Sequence, residues 1–273
     1  MKTFLMVLLV VFTIIGIATT KVNAQATGVP ALLYHQISST APDNAWLLGL
    51  EGPTVVNIIT FTEQMKWLYN NGYKTLTLQG LRDVLSGKVP LPTKTVVIMF
   101  DDGWTSQFEA VTVLKTYKFN AIFSVLTDPE WVDGPYMSGA DFLYLDRYFA
   151  RHHRRGSRFD VISHTVSHPD MVALYNAGNL VEVNRQFTES KQVLQSYLGH
   201  VVDAFTWPYG EYNQPLIDLA VQAGYKTLFT VNPFFNTSAT SPLAVNRTTI
   251  DGRCGLNIFI QSVQTAAEIW CGP

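Results

Sequence analysis

Two short stretches hold the residues with the clearest chemical potential. Asp101-Asp102-Gly103 follows the apolar run Val96-Val97-Ile98-Met99-Phe100, and His164-Thr165-Val166-Ser167-His168 follows Asp160-Val161-Ile162-Ser163. Imidazoles four residues apart share a face if the loop closes into a helical turn, and that spacing can chelate one cation. A histidine pair that binds nothing is the plain alternative. Adjacent carboxylates at a strand end can point in different directions, so one can complete a His-His-Asp site while the other stays free as a base. Three protein ligands leave a coordination position open to water. Asp and Gly also favour ordinary turns, but an acidic turn directly after an apolar strand buries charge, which is costly unless paired. Thr165 follows His164, so the H-E-x-x-H pattern of zinc peptidases, with its glutamate base, is absent.

The elements that must position these groups are legible around them. Apolar runs at Ala31–Tyr34, Thr95–Phe100, Ala121–Leu126, Val161–Ser163, Val201–Thr206 and Thr227–Val231 lack apolar/polar alternation. They read as strands covered on both faces, as in a parallel sheet. Helical patterns lie between them: Phe61, Met65, Leu68 and Tyr69 share one face, and Leu216, Leu219, Ala220 and Ala223 another, with Asn213 as N-cap and Gly224 as stop. Helices around Thr105–Tyr117, Ser138–Phe149 and Asn179–Leu198 complete a βα repeat, so the fold class is α/β, a barrel or an open doubly wound sheet. Ser38–Asn57 and Thr127–Tyr136 read as long surface loops. His35 follows the first run and Trp207-Pro208-Tyr209-Gly210 follows the run ending at Thr206. Four groups therefore sit just past the carboxyl ends of four strands, where parallel α/β folds build their sites.

Composition narrows the setting. The chain has 273 residues, 47% hydrophobic and 15% charged, enough to fill the core of one large α/β domain. A formal charge of −2 gives no basic field for nucleic acid. Lys2, the apolar run Phe4–Ala18 and the small-residue pattern Val22-Asn23-Ala24 read as a signal peptide over residues 1–24, leaving a mature domain at 25–273. The run is shorter than the roughly 20 residues of a membrane span, so no span is expected after cleavage; an uncleaved anchor is the competing reading. The expected location is extracellular, or periplasmic or cell-wall in a bacterium. The two cysteines, Cys254 and Cys271, then lie in an oxidising compartment and are expected to close the tail by a disulfide, the alternative being two unpaired thiols. Asn236-Thr237-Ser238 and Asn246-Arg247-Thr248 match the N-glycosylation sequon, with meaning only in a eukaryotic host. The basic run at residues 151–155 reads as a solvated helix end, and Asp43, Asp128 and Asp133 as solvated loop residues.

F-D-D-G at Phe100–Gly103, S-H-T-x-S-H at Ser163–His168 and W-P-Y-G at Trp207–Gly210, in that order and with Tyr34-His35 upstream, resemble the polysaccharide deacetylases with a NodB-like domain, carbohydrate esterase family four. F-x-x-Q-M-x-x-L at Phe61–Leu68 extends the resemblance over most of the mature chain. It implies a single distorted (β/α) barrel and a divalent metal, usually zinc (Zn²⁺). Carried onto matching positions, it makes Asp102, His164 and His168 the metal ligands and Asp101 the base that activates water. The backbone N–H of Tyr209 would help stabilise the oxyanion formed on an acetamide carbonyl.

The chain departs from the common pattern in two places. Thr206 stands where an arginine of an R-x-P-Y motif orients the catalytic aspartate, and Gly255–Val263 lacks the histidine of a late L-x-H motif that supplies the acid. A subset resembling poly-N-acetylglucosamine deacetylases uses the histidine of an N-terminal Y-H motif, which makes His35 the candidate acid; its alternative is a packed strand-end histidine. Trp207 and Pro208 are candidates for a sugar-binding groove, the alternative being core or turn packing. The resulting expectation is a secreted metal-dependent hydrolase of carbon–nitrogen bonds that removes N-acetyl groups from an N-acetylglucosamine-containing polysaccharide or oligosaccharide. The alternatives are an O-acetyl ester hydrolase on a xylan-type glycan and a carbohydrate-binding homologue without turnover.

Overall fold

The computed structural model describes residues 28–39, 54–128, 135–151 and 158–272. The signal-peptide reading at 1–24, Asp43, Asp133 and most of the basic run at 151–155 lie outside them. In chain order the elements are β1 (Ala31–Tyr34), β2 (Gln36–Ser38), β3 (Val55–Asn57), α1 (Ile58–Asn70), β4 (Lys74–Thr75) and α2 (Leu78–Leu85), then β5 (Thr95–Phe100), α3 (Gln107–Tyr117), β6 (Ala121–Val125) and α4 (Gly139–Arg151). They continue with β7 (Phe159–Ser163), α5 (Met171–Asn176), α6 (Leu180–Leu198), β8 (Ala204–Thr206), α7 (Gln214–Gln222), β9 (Thr227–Phe229), β10 (Thr248–Thr249) and α8 (Leu256–Thr265).

The main sheet is parallel, in the order β10-β1-β5-β6-β7-β8-β9, with β4 paired to the start of β5. It curls until its two edges nearly meet. Val245, just before β10, bonds to Leu228 and Thr230 of the β9 edge, and Arg247 N–H donates to Asn232 carbonyl at 3.0 Å, so one short segment bridges the seam. This is the distorted (β/α) barrel. The six apolar runs all form strands: two with the expected bounds, β7 longer by two residues, and β6, β8 and β9 shorter than their runs.

Alternation, invisible as apolar/polar contrast, reappears as two cores. Val97, Met99, Ile122, Ile162, Ala204 and Phe229 fill the barrel interior, while Leu32, Ile98, Phe100, Phe123 and Val161 face the outer helices, as the two-residue period of a strand requires. Helix α2 adds Leu81, Val84 and Leu85 to the inner cluster and plugs the amino-terminal mouth. Its Leu78 N–H is accepted by Asp160 (2.8 Å) at the start of β7, and Arg82 reaches Asp203 (2.6 Å) and Thr227 (2.9 Å) at the starts of β8 and β9. The carboxyl-terminal mouth is left for chemistry.

The register at that mouth is pinned by aromatic side chains on the outer face. Tyr34, Phe100 and Phe123 stack across β1, β5 and β6 at centroid separations of 5.5 and 4.9 Å, and Tyr34 pairs with Phe100 across the strands. The residues that follow, His35 and Asp101, are thereby brought abreast.

Val55–Asn57, expected as loop, is instead β3, pairing with β2, and Asn57 caps α1 through a 2.8 Å bond from Ile59 N–H. Cys254 and Cys271 are joined as a disulfide with a Cα–Cα distance of 5.4 Å. The Asn236 side chain is fully buried and its amide donates to Val29 and Asn246 carbonyls, so that sequon is closed in the folded chain. Among the described residues no helix is long and apolar enough to cross a membrane.

Candidate active site

The site begins where β5 ends. Asp102 and Gly103 both adopt left-handed backbone, φ 73° and 75°, which turns the chain sharply and sends the Asp101 and Asp102 side chains different ways. For a non-glycine residue this costs on the order of 1–2 kcal/mol. The turn is held by Gln107 of α3, whose side-chain amide donates to the carbonyls of Asp101 (2.6 Å) and His35 (2.8 Å). The same strain recurs at Thr165 (φ 74°), His168 (φ 56°) and Tyr209 (φ 59°). Such strain clusters at functional positions.

Asp102, His164 and His168 converge. Asp102 Oδ1 lies 3.4 Å from His164 Nε2 and 3.6 Å from His168 Nε2. Ligands about 2.0–2.1 Å from a tetrahedral cation sit about 3.3–3.4 Å from one another, so these three atoms fit one divalent ion, and they form a possible metal site. Asp102 Oδ1 is buried with no hydrogen-bond partner, the state of a ligand atom. The imidazoles do not meet through a helical turn, as their spacing suggested. Two left-handed residues bend the loop, Thr165 hydroxyl accepts the His168 N–H at 3.0 Å, and Gln186 of α6 accepts the N–H groups of Val166 and Ser167.

Each ligand is oriented from behind. The Trp104 indole N–H donates to Asp102 Oδ2 at 2.9 Å, leaving Oδ1 for the histidines. His164 Nδ1 donates to the Thr206 carbonyl at 3.0 Å, with the Thr206 hydroxyl also in reach at 2.6 Å, which turns Nε2 into the site. Partners of this kind fix tautomer and ring orientation in metal sites. Neither Trp104 nor this role of Thr206 was legible in the sequence.

Asp101 is 2% exposed. Both its oxygens accept from Arg247 Nη1, at 2.7 and 2.8 Å, and Arg247 Nε donates to the Thr230 carbonyl at 2.7 Å. The absence of an R-x-P-Y arginine is therefore corrected: the cation arrives from the segment that bridges the β9–β10 seam, 146 residues away in the chain. The only sequence signal was an unexplained arginine inside a sequon.

Burial opposes charge on Asp101, but Arg247 and then His164 hold its carboxyl below the ordinary range. At Asp102 burial is likewise outweighed, by the close approach and charge of His164. Burial disfavours charge on His164 too, yet Asp101 and Asp102 raise it above its ordinary value. Two ionised carboxylates thus demand positive charge between them, a demand a divalent cation meets. Burial and the neighbouring His164 lower His168 to about 4, leaving it neutral as a ligand must be.

A cleft of 420 Å³ opens above these groups, lined by His35, Arg247, Tyr209 and the tail residues Glu268 and Trp270 as well as the ligands. His35 is lowered by burial, and its Nδ1 has no partner; Arg247 Nη2 and Trp207 Nε1 are likewise buried and unpaired. A larger hollow of 700 Å³ near Tyr69 and Tyr117 contains no histidine or carboxylate.

Trp207 borders the cleft floor, and its surroundings favour the packing alternative. It is fully buried, stacked on Tyr212 at 5.8 Å and packed among Phe187 and Phe205, and Pro208 is buried beside it, so neither presents a face to a sugar. Tyr209 is the exposed aromatic there, 65% accessible, with its ring 4.6 Å from that of His168.

The polysaccharide deacetylase family model matches residues 88–228. The poly-β-1,6-N-acetyl-D-glucosamine N-deacetylase of Escherichia coli K12 is 27% identical over an alignment covering 88% of this chain and 39% of that protein. The chain thus corresponds to well under half the length of that relative. Among solved structures, the Streptococcus pyogenes deacetylase PplD, in complex with acetate, has a TM-score of 0.71 at 24% identity, covering 87% of this chain and 99% of its own. IcaB from Ammonifex degensii has a TM-score of 0.70 at 22% identity, covering 89% and 98%. Those two likenesses concern the fold, whereas the family match spans more than half the sequence and includes Asp101, Asp102, His164, His168 and the Trp207–Gly210 turn: the chain belongs to the polysaccharide deacetylase family.

Proposed function

We propose that the protein is an exported, metal-dependent hydrolase that removes N-acetyl groups from an N-acetylglucosamine polymer. The observation that carries this reading is an ionised, buried carboxylate at Asp101 beside the ligand set Asp102, His164 and His168, in one open cleft. The polymer is suggested by the name of the E. coli relative, and export by the signal-peptide pattern of residues 1–24.

Asp102, His164 and His168 would hold the cation, zinc being the natural choice for one carboxylate and two imidazoles. When bound, it supplies an electrophile that polarises the acetyl carbonyl and acidifies water. Asp101, kept ionised by Arg247, takes a proton from the attacking water. The water oxygen bonds to the carbonyl carbon, and the backbone N–H of Tyr209 is the group assigned to the resulting oxyanion. Breaking the carbon–nitrogen bond releases acetate, and the sugar nitrogen gains its proton through His35, which burial keeps neutral at rest and which therefore passes on the proton that Asp101 took from the water. Net, one water is consumed and an amine and acetate are formed.

Arg247 answers one of the two grounds for a glycan-binding protein without turnover, since it meets Asp101 where the motif arginine is missing; the other, the missing late histidine, is answered only if His35 serves as the acid. The ester-hydrolase reading separates by substrate: an acetyl ester needs less help at its leaving oxygen, so loss of His35 should spare ester and abolish amide cleavage. The test is acetate release with zinc from a β-1,6-linked N-acetylglucosamine oligomer, a chitin-type oligomer and acetylated xylan, with Asp101→Asn as control. No release from any of them refutes the proposal.

A further inference from the structure

The segment after α8, without regular secondary structure, runs along the edge of the cleft as a strap. It leaves the helix at Ala266, a buried residue in left-handed conformation (φ 51°), whose carbonyl accepts the Thr248 hydroxyl at 3.0 Å. Its far end is fixed twice. Cys271 is bonded to Cys254, and its N–H donates at 2.9 Å to Asp251, a carboxylate already clamped by Arg253 at 2.6 Å.

Between these anchors successive residues border different hollows. Ile269 turns inward, lining a small cavity with Cys254 and Phe259. Glu268 and Trp270 turn the other way and line the catalytic cleft together with His35, Asp101 and Arg247. Trp270 is 51% exposed, and Glu268 has no ion-pair partner among the described residues. A half-exposed indole held rigidly beside an unpaired carboxylate, continuous with a hydrolytic site, suits a pyranose: its C–H face packs on the ring, and its hydroxyl or amide hydrogens find an acceptor. Trp207, the aromatic residue the sequence offered for this task, is buried, so the strap supplies the platform it cannot.

We propose that the disulfide-clipped strap is a glycan-binding wall of the cleft, with Trp270 as the stacking platform and Glu268 as acceptor for the sugar unit next to the one being deacetylated. The inference rests on the deacetylase reading for its substrate, but not on turnover for its test. Neither residue touches the reacting atoms, so both are positioning residues for the chain.

Two measurements decide it. In the first, kcat and KM for a β-1,6-linked N-acetylglucosamine pentamer are compared among the wild type, Trp270→Ala, Trp270→Phe and Glu268→Ala. Trp270→Ala should raise KM about tenfold and Glu268→Ala about threefold, with kcat within about twofold and Trp270→Phe recovering most of the loss. In the second, pentamer binding to the inactive Asp101→Asn protein is followed by calorimetry with and without Trp270→Ala, and the affinity should fall by a similar factor. Unchanged KM and unchanged affinity overturn the wall, as does a fall in kcat at constant KM. If the wild type releases no acetate, the calorimetric comparison still decides: affinity lost in Trp270→Ala upholds the wall while the deacetylase reading fails, and affinity unchanged overturns it.

Discussion

Replacing Arg247 by methionine isolates the interaction on which the base depends. Arg247 is fully buried and Asp101 nearly so, and the two contacts between them measure 2.7 and 2.8 Å. Removing one partner of a buried ion pair costs about 3–5 kcal/mol, because the survivor is left charged and unpaired. Losing the guanidinium removes the main charge that holds the Asp101 carboxyl below the ordinary carboxylate range, so burial alone then pushes it above that range.

The sign of the pH dependence follows. In the wild type a depressed Asp101 adds stability that is present above the unfolded carboxylate value of about 3.9 and lost as pH falls through the folded value. In Arg247→Met the shift is reversed, so Asp101 escapes its penalty by binding a proton at low pH and bears it in full above its new value. Urea denaturation should therefore find the variant weakened by about 3–5 kcal/mol at pH 7.5 and clearly less at pH 4.5. Acetate release should fall most at low pH and recover in part as the pH is raised and Asp101 ionises again, so the acid limb of the activity profile moves to higher pH than in the wild type. Arg247→Lys, which keeps the charge, should retain most of the wild-type profile. Equal destabilisation at both pH values, or an activity profile that does not move, would refute the assignment of Arg247 as the group that keeps Asp101 ionised.

Other outcomes can be stated more briefly. Trp104→Phe removes the 2.9 Å hydrogen bond to Asp102 Oδ2, and zinc affinity, read by competition with a chromogenic chelator, should fall about 10–100-fold. Zinc should raise the Tm of the wild type but not of His168→Ala, which lacks one of the three ligand atoms. Cutting the tie with Cys254→Ser and Cys271→Ser, which opens a crosslink between positions 17 residues apart, should cost about 3 kcal/mol in chemical denaturation and raise the pentamer KM. His200 is raised because its bond to Asp146, at 2.9 Å, outweighs burial. Its contribution is present below the unfolded value of about 6.5 and lost as pH rises through the folded one; half-exposed, it should account for less than about 1 kcal/mol between pH 6 and 8, and Asp146→Asn should remove that slope.

What could be read in advance follows from how locally it is encoded. Asp101, Asp102, His164 and His168 announce themselves because each group directly follows a strongly apolar strand, and strand ends converge by topology alone. The strands were legible because six apolar runs alternate with helical patterns. Thr248–Thr249 and Lys74–Thr75 were not, since two residues carry no period. Arg247 was missed for the same reason: it borders a two-residue strand, and its partnership with Asp101 exists only once the sheet has curled. For Trp207 the choice between groove and packing stayed open, because adjacency to a motif says nothing about which face of the chain the packing of α6 and α7 will cover. Imidazole spacing indicated that His164 and His168 could meet, but the turn that joins them depends on Gln186, a side chain on a helix whose approach the local sequence does not encode.

The bridge across the β9–β10 seam also bears on when the protein becomes competent. The three ligand residues lie between positions 102 and 168, whereas Arg247 follows 79 residues after the last of them. During synthesis a nascent chain could gather its cation while Asp101 still lacked its counter-charge. On the proposed reading, Asp101 would gain its counter-charge only once the barrel edges have met, and a chain ending before Arg247 would keep the three candidate ligands but lack the cation that pairs with Asp101.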